Sequence, residues 1–150
     1  MSGKSNAFET QFLNHLFVNA AIANVGDATG LPAAATVGNF FMRLYTSAVV
    51  VDDATIGTEA SYTGYVSGGV AIPRTVAGFT VTGDNVKNAA VILFGLCTAG
   101  TNTIRYAALW KNNSSSVVAD RLFWGTTGDL IVSASIAPEF PALEFTITEQ

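Results

Sequence analysis

The chain has 150 residues, of which 49% are apolar and only 12% charged, 7 basic against 11 acidic for a formal charge of -4. That length suits a single domain over 1–150 that buries roughly two-thirds of its unfolded surface, and the sparse acidic charge argues against nucleic-acid binding through phosphates and against an anionic membrane surface. The apolar excess has two readings, a well-filled core under a Ser/Thr/Asn surface or a face that meets another subunit of a larger assembly.

The opening "MSGKSNAFETQFLNHLF" lacks the continuous apolar core of a signal peptide, and no later run reaches the roughly 18 residues of a membrane span. Synthesis in the cytoplasm is expected. Asn6 followed three residues later by Glu9 matches a capping box with Asn in the cap position, and Phe8, Phe12, Leu13, Leu16 and Phe17 recur at helical spacing. The pattern predicts an α-helix over about 6–18 with one apolar side that must be covered. His15 lies at the margin of that side and, as the single histidine, is a poor metal ligand.

"NVGDATGLPAAATVG" reads as a loop. From Asn39 the period becomes two: in "NFFMRLYTSAV" Phe40, Met42 and Leu44 face one side and Phe41, Arg43 and Tyr45 the other, a strand with both faces partly covered. "VDDATIGTEA" breaks the pattern as a long connection. Further strands are predicted at 61–66, 70–81, 86–96, 103–111, 117–124, 129–136 and 142–148, separated by "SGG", "TGDN", "TAGTN", "NNSSS", "TTGD" and "APEFP". The last should place Leu143, Phe145 and Ile147 inward. Gaps this short leave no room for crossover helices, so the fold class is mainly β. It should be an antiparallel β-sandwich or flattened barrel of about seven or eight strands over about 39–148, with an N-terminal α-helix.

Chemistry-bearing constellations are sparse. "GYVSGGVAIPRTV" runs from one strand-like segment to another with no GKS or GKT, so Gly68 and Gly69 read as a turn with positive φ and not as a phosphate loop. Pro73 suggests an edge position or a bulge. Cys97 is the sole cysteine, set in "ILFGLCTAG" as a small buried hydrophobe, which rules out an intramolecular disulfide. Nothing in the spacing of His15, Cys97 and the acids encodes a catalytic triad. Asp52, Asp53, Glu144 and Glu149 read as solvated carboxylates, and "VDDATIGTEAS" lacks the ligand spacing of a calcium loop. No catalytic, cofactor or metal residue is nominated. Tyr62, Tyr65, Tyr106, Trp110, Phe123 and Trp124 could line a groove for sugar or peptide, but alternating strands favour a place in the core or at a subunit interface.

Across about residues 11–148 the order of these pieces resembles a family of small structural proteins of tailed bacteriophages, the head decoration or tail-fibre-like proteins. "FLNHLF" looks like the family's opening helix and "FFMRLYTSAVV" like its first strand, where a phrase of the type "LYVALFT" is usual. "GTEASYTGYVSGGVAI" is similar to "GTEVSGGGYARQAV", and "VKNAAVILFG" to "SNSAAVTFP". "TIRYAALWKNNSSSVVADRLFWG" resembles "THWGIFDAATGGNLLYYG", a strand, a turn and a strand. The arginine usual after the family's tyrosine is absent at Val66, and the loop from Asn19 to Gly38 is long, so the departures bear on attachment more than on fold.

The resemblance implies a non-enzymatic virion protein made in the host cytoplasm, without cofactor, nucleic-acid or membrane partner. Its partners would be the major capsid protein or other virion proteins, and it would form a homo-oligomer, a trimer being one form. A capsid decoration or cement role comes first; a tail, collar or fibre-base part and a carbohydrate-binding module for host adsorption are the alternatives. Phe8, Phe12, Leu16, Phe17, Phe41, Tyr45, Tyr62, Tyr65, Trp110, Phe123 and Trp124 are the expected packing or assembly residues.

Overall fold

The structure, a computed structural model, describes residues 3–47 and 55–148. Asp52, Asp53 and Glu149, read above as solvated carboxylates, lie outside the described residues, as does the end of "NFFMRLYTSAV". The chain is mainly β, with antiparallel sheets and one N-terminal helix.

Helix α1 spans Asn6–Val18, within the expected range, but its cap is Ser5 and not Asn6. Ser5 has extended backbone and its Oγ accepts from the Phe8 N–H at 3.3 Å, whereas Asn6 is already helical. The helix ends at Asn19, whose left-handed φ of 55° stops further winding. Only part of the apolar side is covered. Leu13 and Phe17 are fully buried, Leu16 is half-buried, and Phe8 and Phe12 are exposed. Phe17 meets Phe79 edge-on at 5.0 Å between centroids.

Nine strands follow among the described residues: β1 (Asn39–Tyr45), β2 (Val70–Pro73), β3 (Phe79–Thr82), β4 (Asn85–Asn88), β5 (Ile92–Leu93), β6 (Asn102–Trp110), β7 (Arg121–Val132), β8 (Glu139–Phe140) and β9 (Thr146–Thr148). They form a four-stranded sheet in the order β2-β1-β6-β7, a three-stranded sheet β3-β4-β9 and the pair β5-β8. In the largest sheet Arg43 stands opposite Ala108, Tyr45 opposite Tyr106 and Phe41 opposite Trp110. β1 is covered on both faces, as its apolar alternation demands: Phe40, Met42, Arg43, Leu44 and Tyr45 are all buried.

Several expected strands change form. Residues 61–66 do not make a strand; they run as turns, tied to the rest by a bridge between Thr63 and Ala99. The expected strand 70–81 is two, because Pro73 has no N–H for the ladder and a turn over 74–78 follows it. The expected strands 117–124 and 129–136 are instead one continuous β7, preceded by a 3-10 turn at Val118–Asp120. "TTGD" is therefore a bulge and not a hairpin turn. At the C-terminal end Ile147 is buried, as expected, but Leu143 is half exposed with a left-handed φ of 67°, which takes it out of the alternation.

The chain divides into two compact units, one of Met1–Gly38, Pro73–Val91 and Phe140–Gln150, the other of Asn39–Ile72 and Ile92–Glu139. In the first, buried Asn88 on β4 donates from Nδ2 to the carbonyls of Ala90 and Pro141, both at 2.8 Å, and accepts from the Phe145 N–H at 2.9 Å. Arg74 donates to the carbonyls of His15 and Leu16 and so satisfies two of the orphan acceptors of the last turn of α1. In the second, Tyr45, Ala108 and Trp110 form a buried cluster with Phe41, Ile56 and Tyr106 packed against it.

Candidate interaction surface

β7 is the outer strand of the four-stranded sheet and, among the described residues, pairs with β6 alone. An outer strand presents backbone N–H and C=O groups with no ladder partner. This one has 12 residues, and only Arg121 and Val132 at its ends are buried. Trp124 is 46% exposed and leans edge-on against Tyr106 at 6.1 Å; further along, Leu130 is 41% and Ile131 60% exposed. Between these apolar stretches the register shifts: Ile104 faces Leu130 while Tyr106 faces Thr126, so Arg105 opposes the three residues 127–129. Gly128 takes a positive φ of 70° there, and an exposed ion pair joins Arg105 Nε to Asp129 at 3.2 Å.

The connection from β6 to β7 is held by its own side chains. Asn112 Oδ1 accepts from the N–H groups of Ser114 and Ser115, and the Ser115 hydroxyl donates to Asp120 at 2.6 Å. That hydroxyl holds the Asp120 carboxyl below the usual range, with smaller help from Asn112 and Lys111. The hairpin thus offers β7 on an ordered support.

The eleven expected packing or assembly residues now separate by exposure. Phe17, Tyr45, Tyr62 and Trp110 are buried; Leu16, Phe41, Tyr65 and Phe123 are half-buried; Phe8, Phe12 and Trp124 are exposed. Tyr45 and Trp110 share one cluster with Phe41 beside it, and Tyr62, Tyr65 and Phe94 form a second aromatic group. A sugar groove lined by all six of the aromatic residues considered for it is not formed, since Tyr62 and Trp110 are sealed from solvent.

Around Tyr65 the turn segment carries a small polar network. The Tyr65 hydroxyl donates to Glu59 Oε1 at 2.8 Å and accepts from the Leu44 N–H at 3.2 Å, and the same Glu59 oxygen accepts from the Gly68 N–H. Burial pushes the Tyr65 hydroxyl well above the ordinary tyrosine range, as it does less strongly for Tyr62. Gly68 and Gly69 have φ of 90° and 80°, the turn role expected of them.

The groups with catalytic potential are engaged locally. His15 Nδ1 donates to the Ala20 carbonyl at 2.7 Å, and Cys97 is buried with its thiol directed at the carbonyls of Ala99 and Gly100. Among the described residues no three His, Cys, Asp or Glu side chains are grouped to hold a metal ion. On the three-stranded sheet a cleft of about 580 Å³ is lined by Thr80, Thr82, Asn85, Lys87, Leu143 and Thr146.

Neither a protein-family model nor a curated protein matches the chain.

One feature escaped sequence reasoning. Arg43 is 4% exposed, its Cζ lies 4.3 Å from the centroid of the Trp110 ring, and its terminal nitrogens donate to the carbonyls of Ser115 and Asn112 at 2.9 and 2.8 Å. The signal was present: a strand covered on both faces leaves an arginine between Met42 and Leu44 nowhere to go but inside.

Proposed function

We propose that the chain is a non-enzymatic structural protein of a tailed-bacteriophage virion, a decoration or cement protein that self-associates and bridges copies of the major capsid protein. The exposed apolar side chains of Trp124, Leu130 and Ile131 on β7, a strand that pairs with β6 alone among the described residues, are the observation that carries this reading. On a chain so poor in charge, apolar contacts of this kind hold subunits together, and small gains at each contact add over many copies. The phrase order of the resemblance supports the same reading, since "TIRYAALWKNNSSSVVADRLFWG" spans β6, its turn and the start of β7. The fold proposed with it is an antiparallel β-sandwich or flattened barrel. A tail, collar or fibre-base part would use the same edge.

The test is the copy number of the chain per purified particle, relative to the major capsid protein, by quantitative mass spectrometry. Hundreds of copies are expected. A few to a few dozen would move the protein to the tail or collar, and its absence from particles would end the virion reading.

A further inference from the structure

The sheet β3-β4-β9, in the first compact unit, has two unlike faces. Phe79, Val86, Asn88 and Ile147 are its buried side, with Phe17 of α1 against Phe79. The alternate positions face the other way and are all polar. Thr80 stands opposite Lys87 and Lys87 opposite Thr146; in the next row Thr82 stands opposite Asn85 and Asn85 opposite Thr148. All of these but Thr148, together with Leu143, line the cleft of about 580 Å³. That volume falls within the roughly 300–1,000 Å³ of small-molecule sites.

The lining is one-sided in charge. Lys87 is its single charged group, and no carboxylate faces it from the other lining residues. Lys111 pairs with Asp120, whereas among the described residues the Lys87 ammonium and the side-chain hydroxyls of Thr80, Thr82 and Thr146 have no protein partner. Asn85 is already engaged: its Oδ1 accepts from the Thr148 hydroxyl at 2.7 Å and its Nδ2 donates to Asp84. The apolar part of the wall is Leu143, 49% exposed and held at a φ of 67° by the bond from its N–H to the Asn88 carbonyl. A leucine resists left-handed backbone because of its Cβ, and half-exposure returns little burial for that strain. Strain kept at the wall of a cleft is a mark of a functional place.

Charge and shape select the ligand. One ammonium matches one carboxylate, while a phosphate dianion calls for an arginine fork or a helix N-terminus, and neither lines this cleft. No aromatic ring is present to stack a base. Three hydroxyls that both donate and accept match the hydroxyls of a sugar, and Leu143 offers a surface to its C–H face.

We propose that this cleft binds a carboxylated sugar, with the carboxylate on Lys87, the sugar hydroxyls on Thr80, Thr82 and Thr146, and Leu143 against the ring. The site does not rest on the assembly role of β7, which belongs to the second compact unit.

The probes are glucuronate, its methyl glycoside, glucose and inorganic phosphate, each titrated into the whole isotope-labelled chain and followed by amide chemical shifts. Glucuronate should bind saturably, with shifts centred on Thr80, Lys87 and Thr146. Lys87→Met should weaken that binding about tenfold, and Thr80→Val and Thr146→Val should each weaken it too, with Tm unchanged because these side chains are exposed. Leu143→Asn, which suits left-handed backbone, should keep Tm and lower affinity. No saturable shift with glucuronate overturns the site, as does binding that the Lys87 and threonine variants leave unmoved. Glucose or phosphate binding as tightly as glucuronate overturns the ligand class. The methyl glycoside separates two sources: binding equal to that of the free acid marks a sugar at the end of a glycan chain, and loss of binding marks the free sugar acid.

Discussion

Arg74 Nε donates to the carbonyl of Leu16 at 2.8 Å across 58 positions of sequence, and a terminal nitrogen of the same guanidinium reaches His15 at 3.0 Å. One side chain thereby closes the last turn of α1 from the segment that follows β2. Replacing it with Met keeps the aliphatic stem but strands two helix-end carbonyls. Arg74→Met should cost about 2 kcal/mol of stability, read from urea unfolding, and should loosen amide exchange protection at the end of α1 before that of β6. Equal loss of protection in both places would contradict a local role.

Asn88 is a stricter case, since its amide donates on one side and accepts on the other. Asn88→Ala should cost about 3 kcal/mol through the stranded carbonyls of Ala90 and Pro141 and the N–H of Phe145. Asn88→Asp should be at least as harmful at neutral pH, where carboxylate oxygens would face carbonyl oxygens. Burial among acceptors would raise the folded pKa of the introduced carboxyl above its unfolded value, so that variant should regain stability as the pH is lowered to about 4. A urea midpoint for Asn88→Asp that falls with acid at least as steeply as that of the wild type would show the orientation of the amide to be wrong.

Gly69 makes the turn before β2 with a φ of 80°, and a Cβ there would stand 2.0 Å from the Met42 carbonyl oxygen. Both strain and collision act on backbone, which cannot move aside as a side chain can. Gly69→Ala should cost about 3 kcal/mol or more, whereas Gly38→Ala, with open space around it, should stay within about 0.5 kcal/mol. Paired thermal melts check the contrast.

Trp124 should behave in the opposite way from Trp110, although both are tryptophans on paired strands. Trp124→Ser loses an exposed ring and one edge-on contact with Tyr106, at a cost of about 1 kcal/mol, but it should weaken self-association measured by sedimentation. Trp110→Ser should abolish cooperative folding. Unchanged association with Trp124→Ser would remove β7 from the interface.

Tyr45 and Tyr65 set an alkaline limit. Burial raises both folded pKa values above the ordinary tyrosine value of about 10, so the stability they contribute is whole below that pH and is lost as pH rises from there through about 12, the value for Tyr45. Tyrosinate absorbance should show part of the four tyrosines titrating late and together with the loss of circular dichroism. Four tyrosines titrating normally in a folded chain would contradict their burial.

How far these features were legible differs by element. The helix expected over about 6–18 and the strands expected from Asn39 and at 103–111 correspond to α1, β1 and β6, because a covered face imposes its period on whichever residues occupy it. The cap was misplaced by one residue because Ser5 and Asn6 are both good caps, and only the backbone turn selects between them. The segment 70–81 could not be divided by alternation, which two short strands around a turn imitate; "TTGD" could not be told from a hairpin turn, because a glycine bulge uses the same residues.

Composition and period by themselves determined that this is a charge-poor, mainly β chain with an N-terminal helix and no encoded catalytic motif. Tertiary structure alone decided which aromatic rings are sealed and which exposed, that β7 pairs with β6 alone among the described residues, and that Arg43, Tyr45 and Trp110 are buried together. The physical reason is range. Period and turn chemistry act over a few residues, whereas strand order, register across a sheet and the burial of a given side chain depend on partners about 60 or more positions away, as between Arg43 and Ala108.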